Sequence, residues 1–323
     1  MRAALLHTYG SAPVPGDRPE PVDAVNLVEV TAAPIVPLDL LCAGGTSYFG
    51  QQPLPYVPGV QGIGVVRHSP ELTTGSRVWF ATTAGMRPGD GSLAELCAVA
   101  AADLVPIDGG LSDAAAAAIG TSGIAAWMAL TWRARLQPGE RVVVLGASGI
   151  VGQVALAAAR HLGAGHVVAV VRSEAAAAPA LAAGATRVVT LGDQPDRAAL
   201  TERLIEAADG PVDVVIDPVF GEPAAAAVDA LGPGGRLVNL GGAAGDRTDF
   251  SSAALRGRSI AILGYTNNAI TSAQRAAALG SVLDLASAGR LEVSHVVRPL
   301  RECAEAWAEA GRSGRRVVID PRE

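Results

Sequence analysis

The sequence predicts an α/β protein with two architectures in one chain, a β-rich, barrel-like domain and a doubly wound parallel sheet. Three observations carry this. Residues 1 to about 117 are rich in Gly and Pro and hold short alternating or β-branched runs, such as Asn26-Leu-Val-Glu-Val-Thr31 and Gly62-Ile-Gly-Val-Val66, the texture of short strands separated by turns. From there to about residue 264, strand-like and helix-like segments alternate, as βα units feeding a parallel sheet do. Between the two, Ser112 precedes an alanine-rich run and can cap a helix there.

In the alternating region the pattern predicts strands over Arg141–Leu145, His166–Val171, Arg187–Thr190, Val212–Ile216, Arg236–Leu240 and Ser259–Leu263. Helical stretches headed by Gly152, Glu174, Ala198 and Pro223 separate them. The last segment is predicted to add a helix over Ser272–Ala288, a short strand near Val296, a helix over Leu300–Arg312 and a terminal strand over Arg316–Ile319.

At 323 residues the chain is too long for one small core and has the length of two domains. Half of the residues are hydrophobic and 17% are charged, as in a compact globular protein. The net charge is −6 with both signs interspersed, which argues against a nucleic-acid partner or an anionic membrane surface. Cys42, Cys97 and Cys303 are far apart and form no Cys-x-x-Cys pair, so a disulfide scaffold is not expected and a reducing cytosol fits. The apolar run in MRAALLHTYG is too short for a signal-peptide core. Two uncharged runs, Ala114–Leu130 and Val142–Ala159, approach the length of a membrane span. Gly, Ser, Thr or Gln interrupts both, and they read as buried globular segments.

The most informative string is Glu140-Arg-Val-Val-Val-Leu-Gly-Ala-Ser-Gly-Ile-Val-Gly-Gln-Val-Ala-Leu-Ala-Ala-Ala-Arg160. A buried strand runs into a glycine turn that opens a helix, so backbone N–H groups and the positive helix end are presented to a pyrophosphate. Gly149 allows close approach of phosphate and Gly152 allows close packing of helix on sheet. In the G-x-G-x-x-G frame the first glycine is replaced by Ala147, with Gly146 just before it. The expected cofactor contacts are Ala147, Ser148, Gly149, Ile150, Val151 and Gly152. An NAD-binding fold ends its second strand in Asp or Glu to bond the ribose 2′-OH. Here that strand ends in Arg172-Ser173, a cation and a hydroxyl suited to a 2′-phosphate, which favours NADP(H). Glu174 works against that reading, and a solvated arginine at a strand end is its alternative.

The order of motifs resembles the medium-chain dehydrogenase/reductase superfamily, in its zinc-free quinone oxidoreductase and enoyl reductase branch. The resemblance is carried by Met1-Arg-Ala-Ala4, Pro37-Leu-Asp39, Gly45-Thr-Ser-Tyr48, Pro58-Gly59, Gly91-Ser-Leu-Ala-Glu95, Gly120-Thr-Ser-Gly-Ile-Ala-Ala-Trp127, Leu136-Gln-Pro-Gly-Glu140, Gly146-Ala-Ser-Gly-Ile-Val-Gly152, Asp213-Val-Val-Ile-Asp-Pro-Val219 and Gly232-Pro-Gly-Gly-Arg-Leu-Val238. It implies a GroES-like β-barrel catalytic domain over 1–119, a Rossmann cofactor domain over 120–264, a C-terminal return to the catalytic domain over 265–323, and homodimers formed through the cofactor domains.

The same resemblance frames the site. Zinc members carry a Cys near Leu38 and Asp39 and a Gly-His-Glu where this chain has Gly59-Val60-Gln61, so a metal-free enzyme is expected; the five histidines are scattered. Relatives place a tyrosine at Tyr48, which becomes the expected acid or oxyanion donor, a role a phenol can fill at neutral pH. Asp39 is expected to orient Tyr48 or the backbone, or simply to cap a turn. Val36 stands where relatives often carry Asn. Gln61 reads either as a polar group lining the substrate cleft or as a satisfied amide in the core. Thr121, Leu240-Gly241-Gly242 and Leu263-Gly264-Tyr265 are expected along the cofactor or as structural turns, and Trp127 and Asn267 beside the substrate.

These readings converge on an NADPH-dependent oxidoreductase that passes hydride to a quinone or an α,β-unsaturated carbonyl, a small-molecule substrate, without metal. A zinc-free alcohol or carbonyl oxidoreductase is the second reading. An NADPH-binding sensor or RNA-binding protein without turnover is the third, and the acidic balance counts against RNA.

Overall fold

The structure is a computed structural model and describes residues 1–192, 196–311 and 315–323. The chain divides into two units, residues 1–120 with 293–323, and residues 121–292.

In the first unit β1 (Arg2–Leu5) and β2 (Val14–Asp17) form an antiparallel hairpin. Then come β3 (Leu27–Ile35), helix α1 (Pro37–Ala43), β4 (Gln61–His68), β5 (Arg77–Ala81), β6 (Leu96–Ala98) and β7 (Leu104–Pro106). Helix α1 adds to the sequence expectation, although its signals are local: Pro37 stands at the first helical position and Asp39 in the first turn. Helix α2 (Asp113–Met128) starts where Ser112 Oγ accepts the Ala115 N–H at 3.2 Å. It breaks at Gly120, whose φ of 25° and ψ of −125° are not helical, and the unit boundary falls there.

The second unit is a six-stranded parallel sheet. Its strands and helices alternate as β8 (Arg141–Val144), α3 (Ile150–His161), β9 (His166–Val171), α4 (Ala177–Ala182), β10 (Arg187–Thr190), α5 (Arg197–Ala207), β11 (Val212–Asp217), α6 (Gly221–Ala230), β12 (Leu231–Asn239), α7 (Ser252–Arg258), β13 (Ala261–Gly264) and α8 (Ser272–Ser287). The sheet order β10-β9-β8-β11-β12-β13 is the doubly wound 3-2-1-4-5-6 arrangement, with its switch point between β8 and β11. The β-branched runs on β8, β9 and β11 pack as the core, with Val143, Leu145, Val168, Val170 and Val215 fully buried. Each such side chain contributes about 1.5–3 kcal/mol by leaving water.

Two differences from the sequence expectation have local causes. Strand β12 begins at Leu231 rather than Arg236, and a register shift against β11 accommodates the Gly-Pro-Gly-Gly stretch. Helix α7, a further addition, is capped by Ser251, whose Oγ accepts the Ala254 N–H at 3.2 Å.

The chain then returns to the first unit as β14 (His295–Pro299), α9 (Cys303–Ala310) and β15 (Arg316–Asp320), which complete the sheet β14-β15-β3-β4-β5-β7, with β6 paired to β3. The return starts at Val293 rather than residue 265, because α8 buries Ala278, Leu279 and Val282 in the second unit and packs on α3. The helix expected to reach Arg312 ends at Ala310, and Arg312 itself lies outside the described residues. Of the two membrane-length runs, Val142–Ala159 is split between β8 and α3. Asp113–Arg133 is long and apolar enough to cross a membrane, yet 67% of its apolar 18-residue stretch is buried within the protein.

Candidate functional site

The strand β8 leads through Leu145 into Gly146, whose φ of +57° reverses the chain. The Ala147 N–H donates to Val170 O at 3.0 Å, tying the turn to β9, and the Gly149 N–H donates to Gly146 O at 3.0 Å, closing it. Gln153 Nε2 donates to Ser148 O at 2.8 Å and pins the outer edge. Helix α3 then starts at Ile150 with Gly149 as its N-cap and no side-chain cap. The N–H groups of Ile150, Val151 and Gly152 therefore lack an intrahelical acceptor and point out of the helix end. A Cβ on Gly152 would sit 2.5 Å from Ala147 Cα and 2.6 Å from Gly146 O, so only glycine lets the helix lie this close to the turn. A Cβ on Gly149 would meet nothing nearer than Gly146 O at 3.4 Å. The residues present thus fit an anionic group: the donors are aimed outward, the helix end is positive, and the space over the turn is open.

Beside this turn, β9 runs into the exposed pair Arg172 and Ser173. Among the described residues Arg172 has no hydrogen-bond or ion-pair partner. The carboxylate two positions later is engaged elsewhere: Glu174 Oε1 accepts the Thr190 hydroxyl at 2.7 Å.

The loops after β11 and β12 are held by a pair that sequence reasoning does not single out. Asp217 is fully buried; its Oδ1 accepts the N–H groups of Val219 and Phe220 at 3.0 and 2.7 Å, and its Oδ2 accepts Asn239 Nδ2 at 3.0 Å. Burial pushes its carboxyl up, against these bonds. Asn239 Nδ2 also donates to Gly241 O at 2.7 Å, and the Leu240 N–H to Asp217 O at 2.8 Å, which fixes Leu240-Gly241-Gly242 at the strand ends. Next to them the Tyr265 N–H donates to Asn239 O at 2.9 Å and places Leu263-Gly264-Tyr265. The Tyr265 hydroxyl donates to Asn267 Oδ1 at 2.6 Å while Asn267 Nδ2 donates to Thr121 O at 3.1 Å. The fold therefore brings Thr121, Tyr265 and Asn267 together.

Trp127 is not with them. Its ring lies 6.0 Å from that of His161, the last residue of α3. That is the opposite end of a 12-residue helix from the glycine turn, roughly 17 Å along the axis at 1.5 Å per residue. Trp127 is half-buried with its ring against His161.

In the first unit, Asp39 is buried at the start of α1. Its Oδ2 accepts the Val36 N–H at 2.8 Å and its Oδ1 the Val60 N–H at 2.9 Å. Burial raises its pKa to about 6, opposed by those amides and by the buried Arg316 of β15. Burial in turn lowers Arg316 to about 10, and Asp39 holds it up. Asp39 thus orders backbone, one of the roles expected for it, and no bond joins it to Tyr48. Tyr48 is 78% exposed, with its ring centroid 4.3 Å from that of Phe49. Gln61 is 0% exposed; its Oε1 accepts Trp79 Nε1 at 2.8 Å, and its carbonyl accepts the Ser92 hydroxyl at 2.5 Å. Gln61 is thus buried with its amide oxygen turned to Trp79.

Comparisons with known proteins agree with this architecture. A family model described as zinc-binding dehydrogenase matches residues 151–284. The chain is 37% identical over 142 residues to a phenolphthiocerol/phthiocerol polyketide synthase polypeptide of Mycobacterium tuberculosis, 43% of this chain and 6% of that protein. It is 31% identical over 229 residues to quinone oxidoreductase-like protein 2 of Mus musculus, 70% of this chain and 63% of that one. The matches thus span less than two thirds of these relatives' own length. Over the whole fold, the crystal structures of the quinone oxidoreductase from Thermus thermophilus and its complex with NADPH match with a TM-score of 0.81 and 28% identity, covering 99% of this chain and 100% of that one. The chain is thus similar to quinone oxidoreductase-like proteins of the medium-chain dehydrogenase/reductase superfamily.

Within the superfamily's frame, the positions read as the zinc site of other members are filled by Asp39, Val60 and Gln61. Among the described residues no group of three or more His, Cys, Asp or Glu is placed to hold a metal. The residues that sequence reasoning missed, Asp217, Asn239, Thr190 and Arg316, share one trait. Each acts through a partner distant in sequence. Only the strand-terminal position of Asp217, in Asp213-Val-Val-Ile-Asp-Pro-Val219, offered a signal.

Proposed function

We propose that the chain is an NADPH-dependent oxidoreductase that transfers hydride to a quinone or to the β-carbon of an α,β-unsaturated carbonyl, without metal. One observation carries the reading: the uncapped N-terminus of α3 opens over a glycine turn beside Arg172, which has no partner among the described residues. The amides of Ile150, Val151 and Gly152 hold the pyrophosphate, and Arg172 with Ser173 holds a 2′-phosphate through charge-assisted hydrogen bonds. When bound, the nicotinamide supplies the hydride. The loops fixed by Asp217 and Asn239 present Leu240-Gly241-Gly242 and Leu263-Gly264-Tyr265 as a pre-ordered edge at the strand ends. Tyr48, with its phenol in the open, is assigned as the donor to the acceptor's developing oxyanion. Asp39 positions the backbone at Val60. The quinone oxidoreductases among the relatives support the quinone acceptor.

The metal-free reading rests on side-chain chemistry. Catalytic zinc takes three N, S or O protein ligands. Val60 is apolar, Gln61 Oε1 is engaged by Trp79, and both oxygens of Asp39 are engaged by amides. This donor set does not fit zinc. A homodimer through the second unit is supported by β13, an edge strand that exposes Ile262 to 37%. A reducing compartment suits three buried free thiols.

The test is NADPH oxidation against a panel of quinones, enones and enoyl thioesters. Turnover with one of these classes is expected. Tight NADPH binding with no turnover would replace this reading with a binding protein, and alcohol-dependent reduction of NADP would replace it with an alcohol oxidoreductase.

A further inference from the structure

The end of β9 holds two opposed signals. Arg172 suits a 2′-phosphate, while Glu174 is the residue type that bonds a free 2′-OH in NAD-binding folds. The two are separated by one residue on an exposed turn, so a free Glu174 side chain would be able to swing to the Arg172 guanidinium. The structure shows where that carboxylate goes instead. Thr190, the last residue of β10, pairs in register with Val171, the last residue of β9. Its hydroxyl donates to Glu174 Oε1 at 2.7 Å, drawing the acid toward β10 and leaving Arg172 without a partner among the described residues. The Thr190 carbonyl also accepts Arg203 Nη2 at 2.5 Å, which brings a second guanidinium from α5 to the same strand end.

On the dinucleotide reading above, we infer that Thr190 is the residue that sets cofactor preference, by holding Glu174 away from Arg172 and from the 2′-phosphate. With the hydroxyl present, Glu174 is kept from sharing the cation with the phosphate. Without it, the carboxylate neutralises Arg172, repels the 2′-phosphate dianion and offers an acceptor to a 2′-OH, so preference moves toward NADH. Thr190 is a positioning residue: it touches Glu174.

The test is fluorescence titration of the full chain with NADPH and with NADH, for wild type, Thr190→Val, Thr190→Ser and the double variant Thr190→Val/Glu174→Gln. Wild type binds NADPH the tighter of the two. Thr190→Val is expected to lower the NADPH-over-NADH affinity ratio roughly three- to fivefold, the range of an exposed charge interaction, with NADH affinity held or improved. Thr190→Ser, which keeps the hydroxyl, retains the wild-type ratio, and the double variant recovers it because the acid is gone. An unchanged ratio in Thr190→Val, an equal loss of both affinities, or a double variant that stays low overturns the inference. Wild type binding both dinucleotides equally overturns it while leaving the dinucleotide reading intact. Wild type binding neither overturns that reading and this inference with it.

Discussion

Asp39 Oδ1 accepts the backbone N–H of Val60 at 2.9 Å, fastening the first turn of α1 to the start of β4. With Oδ2 on Val36, one buried carboxylate satisfies two amides. Asp39→Ala leaves both amides without this acceptor. The expected loss at neutral pH is about 1–3 kcal/mol, the cost of a buried donor left unmade, read as a lowered urea midpoint. An unchanged midpoint would show that the fastening carries no stability.

The same carboxyl gives a pH signature. Its folded pKa is about 6 against an ordinary value of 3.8, so the folded state binds the proton more tightly than the unfolded state. The proton stabilises the fold below about pH 4, and that contribution is lost as pH rises toward 6. The full span is on the order of 3 kcal/mol. Wild type should therefore lose stability relative to Asp39→Ala between about pH 4 and 6 in paired denaturation curves. A flat difference across that window would contradict the raised pKa.

Arg172→Ala removes the charge assigned to the 2′-phosphate just past β9. NADPH affinity is expected to fall roughly tenfold, the scale of one charge-assisted hydrogen bond, with NADH affinity unchanged in the same titration. Equal loss for both dinucleotides would move Arg172 out of the phosphate site.

Gln61 tests core against cleft. Gln61→Leu leaves Trp79 Nε1 without its acceptor, and a loss of about 1–3 kcal/mol in stability is expected, with the acceptor KM unchanged. The reverse pattern, an altered KM at unchanged Tm, would return Gln61 to the substrate.

Tyr48→Phe removes a hydroxyl from a side chain that packs little, so Tm should hold. If the phenol donates to the acceptor oxygen, kcat falls by roughly a hundredfold, the lower range of general-acid catalysis. A kcat equal to wild type would remove Tyr48 from that role.

By itself the sequence determined the βα alternation, the glycine turn and the α3 cradle, because each rests on neighbours within one or two turns of chain. Strands over His166–Val171 and Arg187–Thr190 lie where the β-branched runs put them, and Gly152 occupies the one position where a Cβ would strike Ala147. The tertiary structure alone decided what the polar residues do. Gln61 is a core amide because Trp79, 18 residues on, faces it across the β4–β5 pairing. Trp127 belongs to the far end of α3 because a helix carries its two ends apart. Asp39 shares its burial with Arg316, which β15 delivers from the other end of the chain, and Glu174 is turned from Arg172 by a hydroxyl on the next strand. The physical reason is common to all four: periodicity and turn chemistry act along the chain, whereas burial, hydrogen-bond pairing and charge compensation act through space.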